Sequence, residues 1–269
     1  MFEALSYDFI QNALIAGLLV SMASGIIGSL IVVNRMVFLA GGIAHTAYGG
    51  IGVAVFLGLP IFLGASIFAV LAALIIASIT LKHRERMDTF IGLMWAVGMA
   101  VGVVLIDLTP GYQADFMSYL FGSILAVSQS DLWFMGGLLA VIGFIMTFWY
   151  RDILAVSYDS EYANLRGINV RFFYTLILVL SALTVVVAIK VVGLILVIAL
   201  LTIPVYIAEK LSNTLYSMMI LSGIFSSVFT LIGLWFSYEY DIASGASIIL
   251  ISAVTLFVFL AINTLRGKA

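Results

Sequence analysis

The chain has 269 residues, 64% of them hydrophobic and 9% charged, with a formal net charge of −2 and no cysteine. Soluble domains carry about 25% charged residues, so a soluble domain is excluded, and the near-neutral balance offers nothing to nucleic acid. Without cysteine there are no disulfides, thiolate metal sites or thiol redox chemistry.

The apolar segments are long enough to cross a bilayer as helices rather than barrel strands. The start, MFEALSYDF, holds Glu3 and Asp8 and no Lys or Arg. A secretory signal needs a basic start, so the first apolar segment is expected to remain as a span. That span runs roughly Ile10–Val33, with Ser21, Ser24, Gly25 and Gly28 at helix-face spacing. Small residues on one face let helix backbones approach each other in lipid.

After the turn Asn34-Arg35-Met36 comes Val37–Phe56, VFLAGGIAHTAYGGIGVAVF. It is apolar but holds His45 near its middle. Gly41 and Gly49 lie four residues to either side, Gly42 three before and Gly52 seven after. Those spacings share a helix face, so His45 projects from a strip almost free of side chains. Two readings stand side by side. The strip is a plain helix-packing face with a buried histidine on a carbonyl, or it lines a pathway in which His45 contacts a metal ion. An ionisable residue inside a span is a functional-site hypothesis by default.

Gly58-Leu59-Pro60 ends this span, and a third follows at about Ile61–Leu81. Lys82–Asp88 is a polar turn, with His83 as a surface residue. A fourth span covers about Thr89–Asp107. Leu108–Asp115 is a loop with Pro110 and Gly111, and Phe116–Val127 is too short to cross and is expected as a re-entrant or interfacial helix. The fifth span is about Leu132–Tyr150. The apolar run Phe172–Ala208 would be about 55 Å as one helix, so it is divided at Lys190 into spans six and seven. Span eight is about Leu215–Ser237 and span nine about Ile242–Leu265. The expected fold is thus an all-α integral membrane protein. It is one domain over residues 1–269, a bundle of about nine spans, within a range of eight to ten, plus the short helix.

With the N-terminus outside, every Lys and Arg except Lys190 falls on the inner side, while Asp107, Asp115, Asp131, Glu239 and Asp241 fall outside. This segregation obeys the positive-inside rule and puts the C-terminus inside. Trp133, Trp149 and Trp235 fall near span ends, as in an interfacial belt.

Between the fifth and sixth spans, in the polar segment Arg151–Arg171, lies Tyr158–Ile168, YDSEYANLRGI. Asp159 suits an N-cap, Glu161 the first turn, Arg166 the last turn and Gly167 the left-handed position after it. This describes a complete helix of about two turns, too short to stand alone in water. It either rests on its own spans or docks a cytoplasmic partner. The acids Asp107, Asp115, Glu239 and Asp241 are either a solvated rim or an electronegative mouth that gathers cations.

No GxxxxGK[ST], HExxH or GxSxG occurs, which removes Walker-loop nucleotide hydrolysis, zincin-type proteolysis and the hydrolase elbow. Carriers coupled to protons or ions usually hold acidic residues within their spans, and none is expected here. A transport function would then draw its energy from a separate ATPase. An ATP-independent channel or secondary carrier stays open as an alternative, and a membrane enzyme using His45 lacks a second catalytic group at helical spacing.

Five stretches resemble the membrane permeases of bacterial ABC importers for zinc, manganese and iron. They are AGLLVSMASGIIGSLIVVNRMVFLAGGIAH before and through His45, FGSILAVSQSDL at Phe121–Leu132, YDSEYANLRGI, VVGLILVIALLTIPVYIA at Val191–Ala208, and YDIASGASIIL at Tyr240–Leu250. The resemblance implies a homodimeric permease in the bacterial inner membrane, with two cytoplasmic ABC ATPases and an extracytoplasmic metal-binding protein. It implies no permanently bound cofactor, only the transported metal here and ATP on the partner. It also implies that Asp159, Glu161, Ala163, Arg166, Gly167 and Ile168 couple the permease to the ATPase, and that His45 meets the ion. The family usually has Asp four residues before this His, and this chain has Gly41. The last motif's Pro is replaced by Ala243. Loss of an oxygen ligand favours zinc over manganese on ligand grounds, so zinc is the first expectation for the cargo, with manganese or iron as the alternative.

Overall fold

The computed structural model describes residues 7–81, 86–109, 122–194 and 197–265. Among the described residues there are ten α-helices, one 3-10 turn and no strand. The helices are α1 Asp8–Val33, α2 Val37–Leu57, α3 Ile61–Thr80, α4 Met87–Asp107, α5 Gln129–Tyr158, α6 Ser160–Leu165, α7 Val170–Val192, α8 Val197–Leu211, α9 Leu215–Tyr240 and α10 Ser244–Leu265; the 3-10 turn is Ile124–Ala126. Eight helices are long and apolar enough to cross a membrane. The ninth segment, α8, has 15 residues, about 22 Å of helix.

The division of the apolar run after Phe172 is real, and backbone geometry makes it. Gly193 caps α7 at φ 88 and ψ 164, a region that costs an L side chain heavily. Gly122 (φ 73) lies against the backbone of Val191, Val192 and Gly193, where no Cβ fits. The Ser123 N–H donates to the Lys190 carbonyl at 3.4 Å. The stretch after residue 121 is therefore docked on the end of α7. Most of the short helix expected at Phe116–Val127 lies outside the described residues; within them there is only the 3-10 turn.

The fifth span is longer than expected. The helix runs on from Tyr150 to Tyr158, with Trp149 at non-helical φ −116 and ψ 20, so the expected end coincides with a kink in a longer helix. Its start is fixed by a capping box between Ser128 and Asp131, each satisfying a backbone N–H that the helix cannot.

Helices α1, α2 and α7 form the buried centre; α4 and α10 are the most exposed. The α1–α9 seam is built from small and hydroxyl residues. Gly25 meets the backbone of Gly223. Ser21 and Thr230 share a hydrogen bond of 2.9 Å, and Ser222 donates to the Gly25 carbonyl at 2.8 Å. Such interhelical bonds contribute about 0.6 kcal/mol each in lipid. Their larger effect is to set the register of two otherwise smooth apolar surfaces.

Contacts between helix ends sort the bundle into two sides. Asn34 donates to Ser157 at 3.0 Å, Thr80 bonds Tyr174 at 2.9 Å, and the Tyr216 N–H donates to the Tyr150 hydroxyl at 3.1 Å. These lie at one end. At the other, Lys190 pairs with Asp131 and lies over the Phe62 ring, 5.5 Å from its centroid. This two-ended arrangement is the one that spans reversing direction in turn require.

Candidate functional site

Helix α2 places His45 about 12 Å from its first residue at 1.5 Å per residue, well inside the span. The imidazole is half-buried. It lies flat on the indole of Trp95 from α4, with ring centroids 4.1 Å apart and planes 17° from parallel. Its Nδ1 is buried and has no hydrogen-bond partner. The next residue, Thr46, donates both to the Gly42 carbonyl within its helix (2.8 Å) and to the Met94 carbonyl of α4 (3.1 Å). That shared hydroxyl pins the two helices at the level of the histidine.

The four glycines expected along a pathway all lie against other helices of the same protomer. A Cβ on Gly42 would sit 2.5 Å from Ile91 Cγ2, one on Gly49 2.7 Å from the Gly98 carbonyl, and one on Gly52 2.7 Å from Gly102 Cα. Gly42, Gly49 and Gly52 are thus the seam that lets α2 and α4 touch backbone to backbone, the packing arrangement set out for this face above. Gly41 differs, because its open side is filled by side chains, Trp95 and Ile198 of α8, at 2.6 and 2.7 Å from a built Cβ.

At the far end from α6, Asp107 is exposed at the end of α4, and Glu239 and Asp241 are exposed around the end of α9. Asp241 caps α9 in the left-handed conformation, φ 51. Asp115 lies outside the described residues, as do His83 and the residues after 265. Among the described residues no group of three or more His, Cys, Asp or Glu comes together.

The segment Tyr158–Ile168 folds as its residues suggest. Asp159 caps α6, accepting from the N–H groups of Glu161 (3.1 Å) and Tyr162 (2.9 Å). Ala163 is fully buried and anchors the helix. Arg166 follows as the C-cap, Gly167 takes φ 77, and the Ile168 N–H returns to the Ala163 carbonyl at 3.0 Å. Tyr158, Tyr162 and Leu165 are exposed, Leu165 at 87%. Beside them a cleft of about 710 Å³ is lined by Tyr158, Asp159, Tyr162, Arg166 and Asn213.

The chain matches the ABC 3 transport family model over residues 6–263. The chain belongs to the ABC 3 transport family. A membrane protein of Synechocystis whose function is uncharacterised is 46% identical over 261 residues, covering 97% of this chain and 93% of that protein. The manganese transport system membrane protein MntC of Listeria monocytogenes is 34% identical over 254 residues, covering 94% and 90%. Among solved structures, PsaBC from Streptococcus pneumoniae in complex with Fab superposes with a TM-score of 0.83 at 33% identity, covering 94% of this chain and 91% of that one. This ABC 3 protein is accordingly an all-helical, multi-pass membrane protein of the transport type, as the resemblance implied.

Two functional candidates escaped the sequence, Trp95, which stacks on His45, and Ile198, which closes on Gly41; the pairing of Lys190 with Asp131 was missed as well. For Trp95 a signal existed: the other three tryptophans fall near the span ends expected from the sequence, while this one lies in mid-span.

Proposed function

We propose that this chain is the membrane-spanning permease of an ATP-driven importer of a divalent transition-metal ion. Two copies form the pathway, two ABC ATPases bind the inner face, and an extracytoplasmic binding protein delivers the ion to the outer face. The chain itself carries out no covalent chemistry. The observation that carries this reading is His45, a lone imidazole inside a span of a protein whose relatives include a manganese transport system protein at 34% identity.

The placement is the bacterial cytoplasmic membrane with the N-terminus outside. Its support is the basic residues gathered at the end of the bundle that holds α6. A second copy is favoured by the outward face of α5, where Gly136, Gly137 and Gly143 have nothing within 4 Å, leaving room for a close helix contact. The exposed Tyr162 and Leu165 of α6 form the contact for the ATPase, and the acids Asp107, Asp115, Glu239 and Asp241 gather cations at the outer mouth. The cycle is alternating access. The ion meets contacts weak enough to release it, and ATP-driven closure of the partner moves α6 and reopens the path.

Manganese is the first reading for the cargo, because relatives such as MntC of Listeria monocytogenes and ScaB of Streptococcus parasanguinis are named for manganese. This moves zinc from first place to second. Zinc keeps one specific argument, that position 41 offers no side-chain oxygen beside the His45 imidazole. Uptake and metal-stimulated ATP hydrolysis by the reconstituted complex, with manganese, zinc and ferrous ions in parallel, decides. Response to one of them alone names the cargo. No response to any, from an assembled complex, removes the importer reading.

A further inference from the structure

A histidine that binds a metal normally has its ring held by a second hydrogen bond, from the other nitrogen to a carboxylate or carbonyl, which orients the ring and raises its basicity. His45 has no such bond at Nδ1. A buried nitrogen without a partner is an expensive feature in a folded protein and calls for a reason.

What holds the ring instead is a flat aromatic surface. The Trp95 indole covers one face of the imidazole at 4.1 Å between centroids. The indole in turn needs a notch. Its six-membered ring passes over Gly41, one helical turn before His45, with Cζ3 at 2.6 Å and Cη2 at 3.2 Å from where a Cβ would stand. Ile198 closes the notch from α8 at 2.7 Å. Three helices therefore meet at one point, α2 with Gly41 and His45, α4 with Trp95 and α8 with Ile198. An alanine at position 41 would force a rigid ring aside, since the contact is to an indole and not to the end of a flexible chain.

We propose that Trp95 is the positioning residue for His45, seated by Gly41, and that this stack takes the place of the usual hydrogen bond in presenting the imidazole to the passing ion. The proposal rests on the importer reading. A stack fixes the plane of the ring but binds neither nitrogen. The ring is aimed, its basicity is not raised, and Nδ1 keeps its lone pair or proton uncommitted. Such a ligand meets an ion in a defined geometry and holds it weakly, which suits passage better than capture. It also gives Gly41 a specific role: the absence of a side chain there is what admits the indole.

The test has two parts, emission from the full chain by itself in vesicles and uptake by the full complex in vesicles. For the emission part, replacing the other three tryptophans (Trp133→Phe, Trp149→Phe, Trp235→Phe) leaves Trp95 as the sole indole of the chain, and all three are exposed. Manganous and zinc ions are added separately. Emission from Trp95 is expected to change with added ion, and His45→Ala is expected to abolish that change. In uptake assays Trp95→Ala should raise the half-saturating ion concentration about tenfold or more, the range seen for loss of a ligand-orienting partner. Gly41→Ala should follow it, and Trp95→Phe, which keeps a flat ring, should recover most of the loss. Two results would overturn the proposal. One is a half-saturating concentration within about twofold of the parent in both Trp95→Ala and Gly41→Ala at normal assembly. The other is an emission change that survives His45→Ala. If the parent complex takes up no metal, the importer reading has failed instead, and the emission measurement still decides for or against the stack.

Discussion

Lys190, in the last turn of α7, and Asp131, in the first turn of α5, form an ion pair at the end of the bundle opposite α6. Asp131 also receives the Ser128 N–H at 2.8 Å and its hydroxyl at 2.6 Å. The carboxylate thus closes the α5 cap and neutralises the one cation that breaks the charge segregation. Lys190 stands at this end of the bundle with a partner beside it. The side chains are 26% and 10% exposed, so the pair is largely withdrawn from solvent. Removing one partner strands a charge, at a cost of about 1–3 kcal/mol. Lys190→Met and Asp131→Asn are each expected to lower the unfolding temperature in detergent. The double variant should lose less than the sum of the two. Strict additivity would show that the two residues do not act as a pair.

The α2–α4 seam depends on backbone contact. A Cβ at Gly98 would stand 2.5 Å from Thr46 Cα and 2.8 Å from the His45 carbonyl, whereas Gly92 on the same helix has open space. Gly98→Ala is expected to cost about 1–3 kcal/mol through overpacking. Gly92→Ala should be neutral or slightly stabilising, since alanine is the better helix former. Thermal unfolding of the two variants side by side checks this. Equal effects would mean that α2 and α4 are not in contact at this level.

His45→Ala should abolish or strongly reduce metal uptake while the complex still assembles. The side chain makes no hydrogen bond through Nδ1 that folding would miss, so unfolding is not expected to mask the result. Unchanged uptake would remove His45 from the pathway.

Helix α6 lets folding and the proposed coupling be tested apart. Leu165 is almost fully exposed, so Leu165→Ser should leave thermal stability unchanged, yet weaken capture of the ATPase and lower uptake. Asp159→Ala removes a cap that accepts two N–H groups, with an expected loss of about 1 kcal/mol of local helix stability. That loss is read as faster amide exchange over residues 160–165. An ATPase that binds the Leu165→Ser variant normally would place the docking surface elsewhere.

The spans, their rough limits and the inner helix were legible in the sequence for a physical reason. In lipid each crossing must satisfy its own backbone hydrogen bonds, so length and apolarity act locally and can be read locally. The same holds for Asp159 and Gly167, whose roles depend on neighbours a few residues away. The kink at Trp149 was not legible, because helical residues continue on both sides of it. The glycines around His45 showed that something comes close to α2, but not what. Residues 42, 49 and 52 answer to Ile91, Gly98 and Gly102 on α4, a match that depends on how two helices slide past each other. Trp95 reaches His45 only because that register is set by the glycine notches and by the Thr46 bond to Met94. Likewise the positive-inside rule puts Lys190 and Asp131 on one side, while the packing of α5 on α7 makes them partners. The sequence by itself determined an all-helical membrane protein with one histidine inside a span and a capped short helix between spans. The tertiary structure alone decided which face of α2 is closed, which ring lies on His45 and where Lys190 finds its counter-charge, since each depends on contacts between different helices.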